Sequence, residues 1–134
     1  MPFMSWSDDL SVQISSIDEQ HRKLLSIINN LHDSMQLGKA NTVMRRILAE
    51  LASYTATHFA HEERLFRQYS YSNSISHQSS HASLVSQLKE LQKQFDAGAP
   101  ISIKTFGFLK KWLTEHILKD DRAYSQFLRS KGVS

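Results

Sequence analysis

The sequence contains no cysteine, only two prolines and four glycines, and no long apolar run. The lack of cysteine excludes disulfides, thiolate zinc sites and iron–sulfur clusters, and it is compatible with a reducing compartment. Neither a secretory leader nor an apolar segment of membrane-spanning length is recognisable. We therefore expect a soluble, cytoplasmic protein with no membrane partner.

Charge and length restrict the class of protein further. The 134 residues suit one domain with a substantial core. The net charge is +3 and the pI is near 9.3, but the basic pairs at 22–23, 45–46 and 110–111 are scattered over outward positions and accompany no nucleic-acid motif. We expect a solvated surface and no nucleic-acid partner, while the sequence identifies neither a protein partner nor an oligomeric state.

Apolar residues recur with helical spacing along most of the chain, which predicts an all-α fold. Residues 1–15 are expected to form an irregular arm, followed by helices at about 16–37, 41–69, 74–96 and 102–129. Short connections between long helices imply antiparallel neighbours, hence an up-down-up-down antiparallel four-helix bundle in a single domain, 1–134. Gly38 is expected to end the first helix. The expected N-caps are Ser16 with Glu19, Asn41 or Thr42, and Ser102.

Every predicted helix carries a histidine on its inward face, where apolar side chains are expected. In the second helix, His58 and Glu62 interrupt an apolar series that includes Leu48 and Leu51. Burying an unpaired carboxylate costs several kcal/mol, so Glu62 requires a counter-charge. A single core histidine usually serves packing, but five with two carboxylates favour a metal site. The inward histidines are His21, His58, His77, His81 and His116, whereas His32 and His61 lie off the inward face.

Antiparallel packing brings all these side chains to one end of the bundle. His21 lies early in the first helix and His58 late in the second, while His77 lies early in the third and His116 late in the fourth. Seven such ligands are too many for one ion and suit two. Imidazole and carboxylate bind iron, manganese, zinc and copper, so spacing does not select among these metals.

The order of these motifs along nearly the whole chain resembles the hemerythrins, in particular single-domain bacterial ones. The resemblance implies a non-haem centre of two iron ions (Fe2+/Fe3+) with a bridging oxide or hydroxide, and O2 as a reversible ligand. It implies that His77, His81 and His116 bind one iron, that His21 and His58 bind the other, and that Glu62 and an aspartate bridge them. The matching segments are Trp6, Val12, Ile17-Asp18-x-Gln20-His21, His58-Phe59-x-x-Glu62-Glu63, His77-x-x-x-His81, Trp112-Leu113-x-x-His116-Ile117 and Asp121-x-x-Tyr124.

Helical spacing and the resemblance disagree about the bridging aspartate. Asp120 is four residues after His116 and would share its face in a regular helix, whereas the family pattern indicates Asp121. A separation of five residues is about 140° off that face. We follow the pattern, and so predict that the fourth helix is widened or broken between His116 and Asp121, for instance by a π-bulge.

Apolar neighbours of the ligands are expected to form a dry O2 pocket, although each also suits ordinary packing. The resemblance implies that Leu113 closes over the bound gas. The pocket residues are expected to be Leu24, Phe59, Trp112, Leu113 and Ile117.

Reversible O2 binding, for storage, delivery or sensing, is the favoured function, with no catalytic residue assigned and no enzyme expected. The same site would also serve a di-iron oxidase, a peroxidase or a nitric oxide scavenger. Against an enzyme, the Glu-x-x-His pairs of ferritin-like di-iron proteins are missing from the sequence. A metal-free interaction module is a further alternative, but it leaves five core histidines unexplained.

Overall fold

The computed structural model describes residues 3–100 and 103–134, apart from the side chains at positions 103 and 120. Three long helices come first: α1 (Ser15–Gln36), α2 (Asn41–Tyr69) and α3 (Ser74–Asp96). The fourth helical rod is composite and consists of α4 (Ile103–Glu115), a π-helical segment (His116–Asp121) and α5 (Arg122–Ser130). Together the four rods form the expected antiparallel four-helix bundle.

Left-handed residues end the first three helices, as helix termini commonly require. Gly38 has φ +65°, and the N–H of Lys39 donates to the carbonyl of Ser34, so the prediction that Gly38 ends α1 is confirmed. Ser70, in the serine-rich turn after α2, adopts φ +55°. Gly98 has φ +103° just beyond α3. These tight stops allow the short connections between antiparallel neighbours.

The predicted N-caps are wrong for the first two helices. The cap position of α1 is Ile14 and that of α2 is Ala40, and neither makes a side-chain capping bond. Ser16 lies inside α1, where its Oγ is 3.1 Å from Nε2 of His61. Capping depends on the direction in which the chain enters a helix, which local sequence does not determine. The cap expected at Ser102 lies outside the described residues.

The N-terminal arm packs against the bundle through specific hydrogen bonds. The backbone N–H of Met4 donates to Oδ1 of Asn29 at 2.7 Å, and Nδ2 of Asn29 donates back to the carbonyl of Met4. Asp18 accepts from the N–H of Val12 and from the Ser11 hydroxyl. Within the described part of the arm, residues 3–14, the chain is irregular as expected apart from one 3-10 turn, Asp8–Leu10.

The core divides along the bundle. Buried aliphatic and aromatic side chains fill one part, among them Leu31, Leu48, Leu51, Leu88 and Leu109. Buried histidines and carboxylates occupy the other part. Within residues 3–100 and 103–134, none of the helices combines the length and the apolarity that a membrane crossing needs. The candidate site lies in this second, polar part of the core.

Candidate metal centre

Seven potential ligands from all four rods converge in the polar part of the core. Each was expected at this site from the sequence, and the structure brings all of them together. Their ligand atoms form two groups within which the atoms lie no more than 4.8 Å apart. The first group comprises His21, His58, Glu62, His116 and Asp121, and the second comprises His77, His81, His116 and Asp121.

The carboxylates make their shortest contacts with the histidines of α1 and α2. Oδ2 of Asp121 is 2.6 Å from Nε2 of His21, and Oε1 of Glu62 is 2.5 Å from Nε2 of His58. The two Nε2 atoms of His21 and His58 are themselves 3.1 Å apart. These four side chains are fully buried, so the pairing takes place without competing water.

The same carboxylates also face the remaining histidines. Nε2 of His77 is 3.5 Å from Oε2 of Glu62 and 3.4 Å from Oδ1 of Asp121. Nε2 of His116 is 3.1 Å from Oδ2 of Asp121, and Nε2 of His81 is 3.9 Å from Oε2 of Glu62. Glu62 and Asp121 therefore lie between the two sets of imidazoles, where a bridging ligand has to be. His116 belongs to both groups, so its assignment to one metal stays a prediction.

A π-helix places Asp121 at the centre, as predicted. Residues His116–Asp121 form this π-helical segment, and its wider turn brings position 121 onto the face of His116. Asp121 is completely buried, and its carboxylate faces four histidines, namely His21, His58, His77 and His116. The side chain of the rival candidate, Asp120, lies outside the described part of the chain.

Several potential metal-ligand atoms in this cluster lack the hydrogen bonds that buried polar groups normally make. Among the described residues, no hydrogen bond satisfies Nε2 of His77, Nε2 of His81, Oε2 of Glu62 or Oδ1 of Asp121. Leaving such atoms unsatisfied costs about 1–3 kcal/mol each. All four atoms face the shared centre, which is what a metal site demands of its ligands.

The surroundings shift the pKa values of the clustered histidines in opposite directions. Burial lowers the pKa of His58 and His77, but Glu62 and Asp121 outweigh it and raise both pKa values to about 9. Burial lowers the pKa of His81 to about 3, helped by His116 and His77. Burial raises the pKa of both carboxyl groups, but the facing histidines outweigh it and hold the two pKa values well below their ordinary range. Both carboxylates are thus charged in an interior that would otherwise reject them.

Apolar side chains enclose the cluster on the α2 and α4 sides. The Phe59 ring stacks on His81 with centroids 3.7 Å apart, and its centroid is 5.1 Å from that of His116. Trp112 lies parallel to His116 at 6.5 Å. The expected pocket residues are all buried, namely Leu24, Phe59, Trp112, Leu113 and Ile117. Their contact with a bound gas stays a prediction.

Three further side chains border the site and were given no role from the sequence. Oε1 of Gln20 is 2.7 Å from Nδ1 of His58, and Oε2 of Glu63 is 3.4 Å from Nδ1 of His81. The phenol of Tyr124 is buried, and burial together with Asp121 and Glu62 raises its pKa well above the ordinary value. Gln20 and Glu63 adjoin ligands in the motif, which was the available signal. His61, which was expected to lie off the inward face, is partly exposed, and its Nε2 is 3.1 Å from Oγ of Ser16.

Comparison with known proteins agrees with this geometry. The family described as "Hemerythrin HHE cation binding domain" matches residues 12–128. A bacteriohemerythrin of Pseudomonas aeruginosa is 36% identical over 129 residues, which cover 96% of this chain and 84% of that protein. A bacteriohemerythrin of Methylococcus capsulatus is 31% identical over 130 residues, covering 96% and 98%.

Solved structures are similar as well. A crystal structure of wild-type hemerythrin superposes with a TM-score of 0.86 at 30% identity, covering 92% of this chain and 96% of that one. A leucine-to-alanine mutant of hemerythrin gives a TM-score of 0.88 at 30% identity, covering 94% and 97%.

Proposed function

Because this chain belongs to the hemerythrin family, we propose that it binds dioxygen reversibly at a pair of iron ions. The observation that carries the proposal is the buried cluster of five histidines and two carboxylates, whose ligand atoms converge from four helices. The family match supports iron as the metal, a choice that imidazole and carboxylate donors alone leave open.

The residues fit a two-metal centre. Four buried potential ligand atoms lack hydrogen bonds and face the same centre. The full set of seven ligand residues is too large for a single ion. His77, His81 and His116 would hold one iron, His21 and His58 the other, and Glu62 and Asp121 would bind both. When bound, the two iron ions supply the electrons with which O2 is held and later released.

The protein's own contribution is charge balance and exclusion of water. Glu62 and Asp121 bring two negative charges to a fully buried position, which offsets part of the charge of two metal ions. Phe59, Trp112 and Leu113 keep solvent away from the same region. A dry pocket favours a neutral ligand such as O2 and slows the loss of bound ligand to water.

Within this function we propose oxygen transport, storage or sensing in the cytoplasm rather than an enzymatic turnover. A histidine-rich set of ligands supports binding over activation, because the Glu-x-x-His pairs of the ferritin-like di-iron proteins are missing from the sequence. The absence of cysteine is compatible with the reducing cytoplasm.

Visible absorption spectroscopy tests the proposal directly. Protein loaded with ferrous iron under anaerobic conditions is measured before exposure to O2, after exposure, and again after O2 is removed. We expect a coloured band that appears with O2 and disappears on removal, over several cycles. The Glu62→Ala variant, treated identically, provides the control for iron bound outside the cluster.

Other outcomes of that experiment would each support a different reading. Irreversible conversion to a ferric spectrum would favour an oxidase, a peroxidase or a nitric oxide scavenger that uses the same site. The absence of any iron-dependent band would contradict the proposed iron centre.

A further inference from the structure

Two of the ring nitrogens that point away from the centre, one at each end of it, have chemically different partners. Nδ1 of His58 lies 2.7 Å from the amide oxygen of Gln20, which is neutral. Nδ1 of His81 lies 3.4 Å from a carboxylate oxygen of Glu63, which carries a charge. Outer partners of this kind orient metal-binding histidines and alter the electronic properties of the metal.

The orientation of His81 is already restricted before Glu63 is considered. The ring of Phe59 lies 3.7 Å away and only 2° from parallel, and Phe59 is itself buried. This stacking fixes the plane of the imidazole but does not decide which of its two nitrogens carries the proton. A hydrogen-bonding partner at the ring edge has to make that choice.

Glu63 is suited to fix which nitrogen of His81 carries the proton. A carboxylate oxygen only accepts hydrogen bonds, so its contact with Nδ1 requires the proton to be there. Nε2, which faces Glu62, is then left with a free lone pair for a metal. The Glu63 side chain is 27% exposed and lines a cavity of about 520 Å³ between α2 and α3, so water solvates its charge.

We propose that Glu63 is a positioning residue for the metal centre, which holds the proton of His81 on Nδ1 and makes the end of the centre bound by His77, His81 and His116 the more electron-rich one. This inference rests on the proposed function. Greater electron donation stabilises the oxidised metal, so Glu63 lowers the reduction potential of that end. Gln20, being neutral, gives the other end orientation without this charge.

Two substitutions separate the charge of Glu63 from its hydrogen bond. Glu63→Gln keeps an acceptor oxygen but removes the charge, so the midpoint potential of the iron centre is expected to rise while its affinity for Fe2+ changes little. Glu63→Leu removes both, and its Fe2+ affinity is expected to fall about tenfold. The potential is measured by spectroelectrochemistry and the affinity by anaerobic titration with ferrous iron.

Glu115→Gln is the matched control, because Glu115 is an exposed carboxylate directly before His116. It removes the same charge at a similar sequence distance from a ligand, without contacting a ligand ring. If Glu63→Gln and Glu63→Leu both match this control, the proposal is overturned. A loss of affinity in Glu63→Leu with no shift of potential in Glu63→Gln would overturn the electronic part.

Failure of the proposed function has a different signature. In that case the unsubstituted protein itself would show no reversible oxygen-dependent band, whereas the differences in Fe2+ affinity and midpoint potential between the Glu63 variants and the control would still be measured. Circular dichroism of the three variants confirms that each retains its helices, which is expected because both substituted positions are at least partly exposed.

Discussion

The inward face of α2 contains two stretches that are equally buried but chemically opposite. Leu48 and Leu51 are 1% and 0% exposed, and Glu62 and His58 are both 0% exposed. In the first stretch, burial is favourable by roughly 25 cal/mol for each Å² of apolar surface removed from water. In the second, burial opposes folding unless each charge is paired.

Burial alone therefore does not indicate that a residue stabilises the fold. The apolar stretch contributes to stability whether or not anything is bound, because its favourable term comes from leaving water. The polar stretch depends on mutual pairing, with Glu62 only 2.5 Å from His58, and on a ligand that satisfies the remaining donors. Between the two, Thr55 is buried and donates to the carbonyl of Leu51 at 2.7 Å. Variants at each end should therefore fail in different ways.

Glu62→Ala should have the largest effect. It removes a carboxylate that faces both sets of histidines, so iron affinity is expected to fall by more than about a hundredfold, beyond the range seen when an outer partner is lost. Iron per chain is measured by elemental analysis after dialysis. Glu50→Ala, which removes a half-exposed carboxylate that pairs with Lys23 on the surface, should retain wild-type iron; iron at that level in Glu62→Ala would contradict the bridging role.

Acidification by one pH unit should weaken iron binding next most strongly. With pKa values of about 9, His58 and His77 each hold a proton at pH 7 that a metal ion has to displace. Each displaced proton changes the affinity by about tenfold per pH unit below the pKa, so two give roughly a hundredfold per unit. Anaerobic Fe2+ titrations from pH 6 to 8 measure this slope. An affinity that is independent of pH would show that these rings are neutral in solution.

Leu113→Ala tests whether apolar residues beside the site differ from those elsewhere in the core. Both Leu113 and Leu109 are fully buried in α4, so either change to alanine should destabilise the fold by about 2–5 kcal/mol. Only Leu113→Ala should also accelerate autoxidation several-fold, because it admits water to the pocket. Decay of the oxygenated spectrum gives the rate. Equal rates in the two variants would remove Leu113 from any gating role.

Gly38→Ala should have the smallest effect and leave the site untouched. At φ +65° an alanine is strained, although its Cβ would meet nothing within 4 Å, so a loss of about 1 kcal/mol is expected. Gly107→Ala, inside α4 and equally free of contacts, should instead stabilise by about 0.5–1 kcal/mol. Thermal unfolding measures both changes, and iron content should be constant. If both substitutions changed the free energy of unfolding in the same direction, backbone conformation would not be the cause of the changes.

The sequence predicts most of the site because helical periodicity is a local property. An imidazole at an inward position, such as His21 or His77, can be recognised from its own segment. Periodicity fails at Asp121, where a regular helix would have selected Asp120, and only the resemblance to a family supplied the π-helix. The partner of His58 was also missed, since Gln20 is 38 positions away and no spacing rule links side chains on different helices.

The π-helix determines which deletions and substitutions the C-terminal part of the fourth rod tolerates. The buried positions in the fourth rod include Leu109, Leu113 and His116, then Asp121, Tyr124 and Leu128, whereas a regular helix would continue the same spacing with 120, 123 and 127. The segment thus works as a phase shift of one residue. Deleting one residue there would give an ordinary helix and leave the later side chains on their faces. A substitution that merely straightened the helix, at constant length, would rotate every later residue by about 100°.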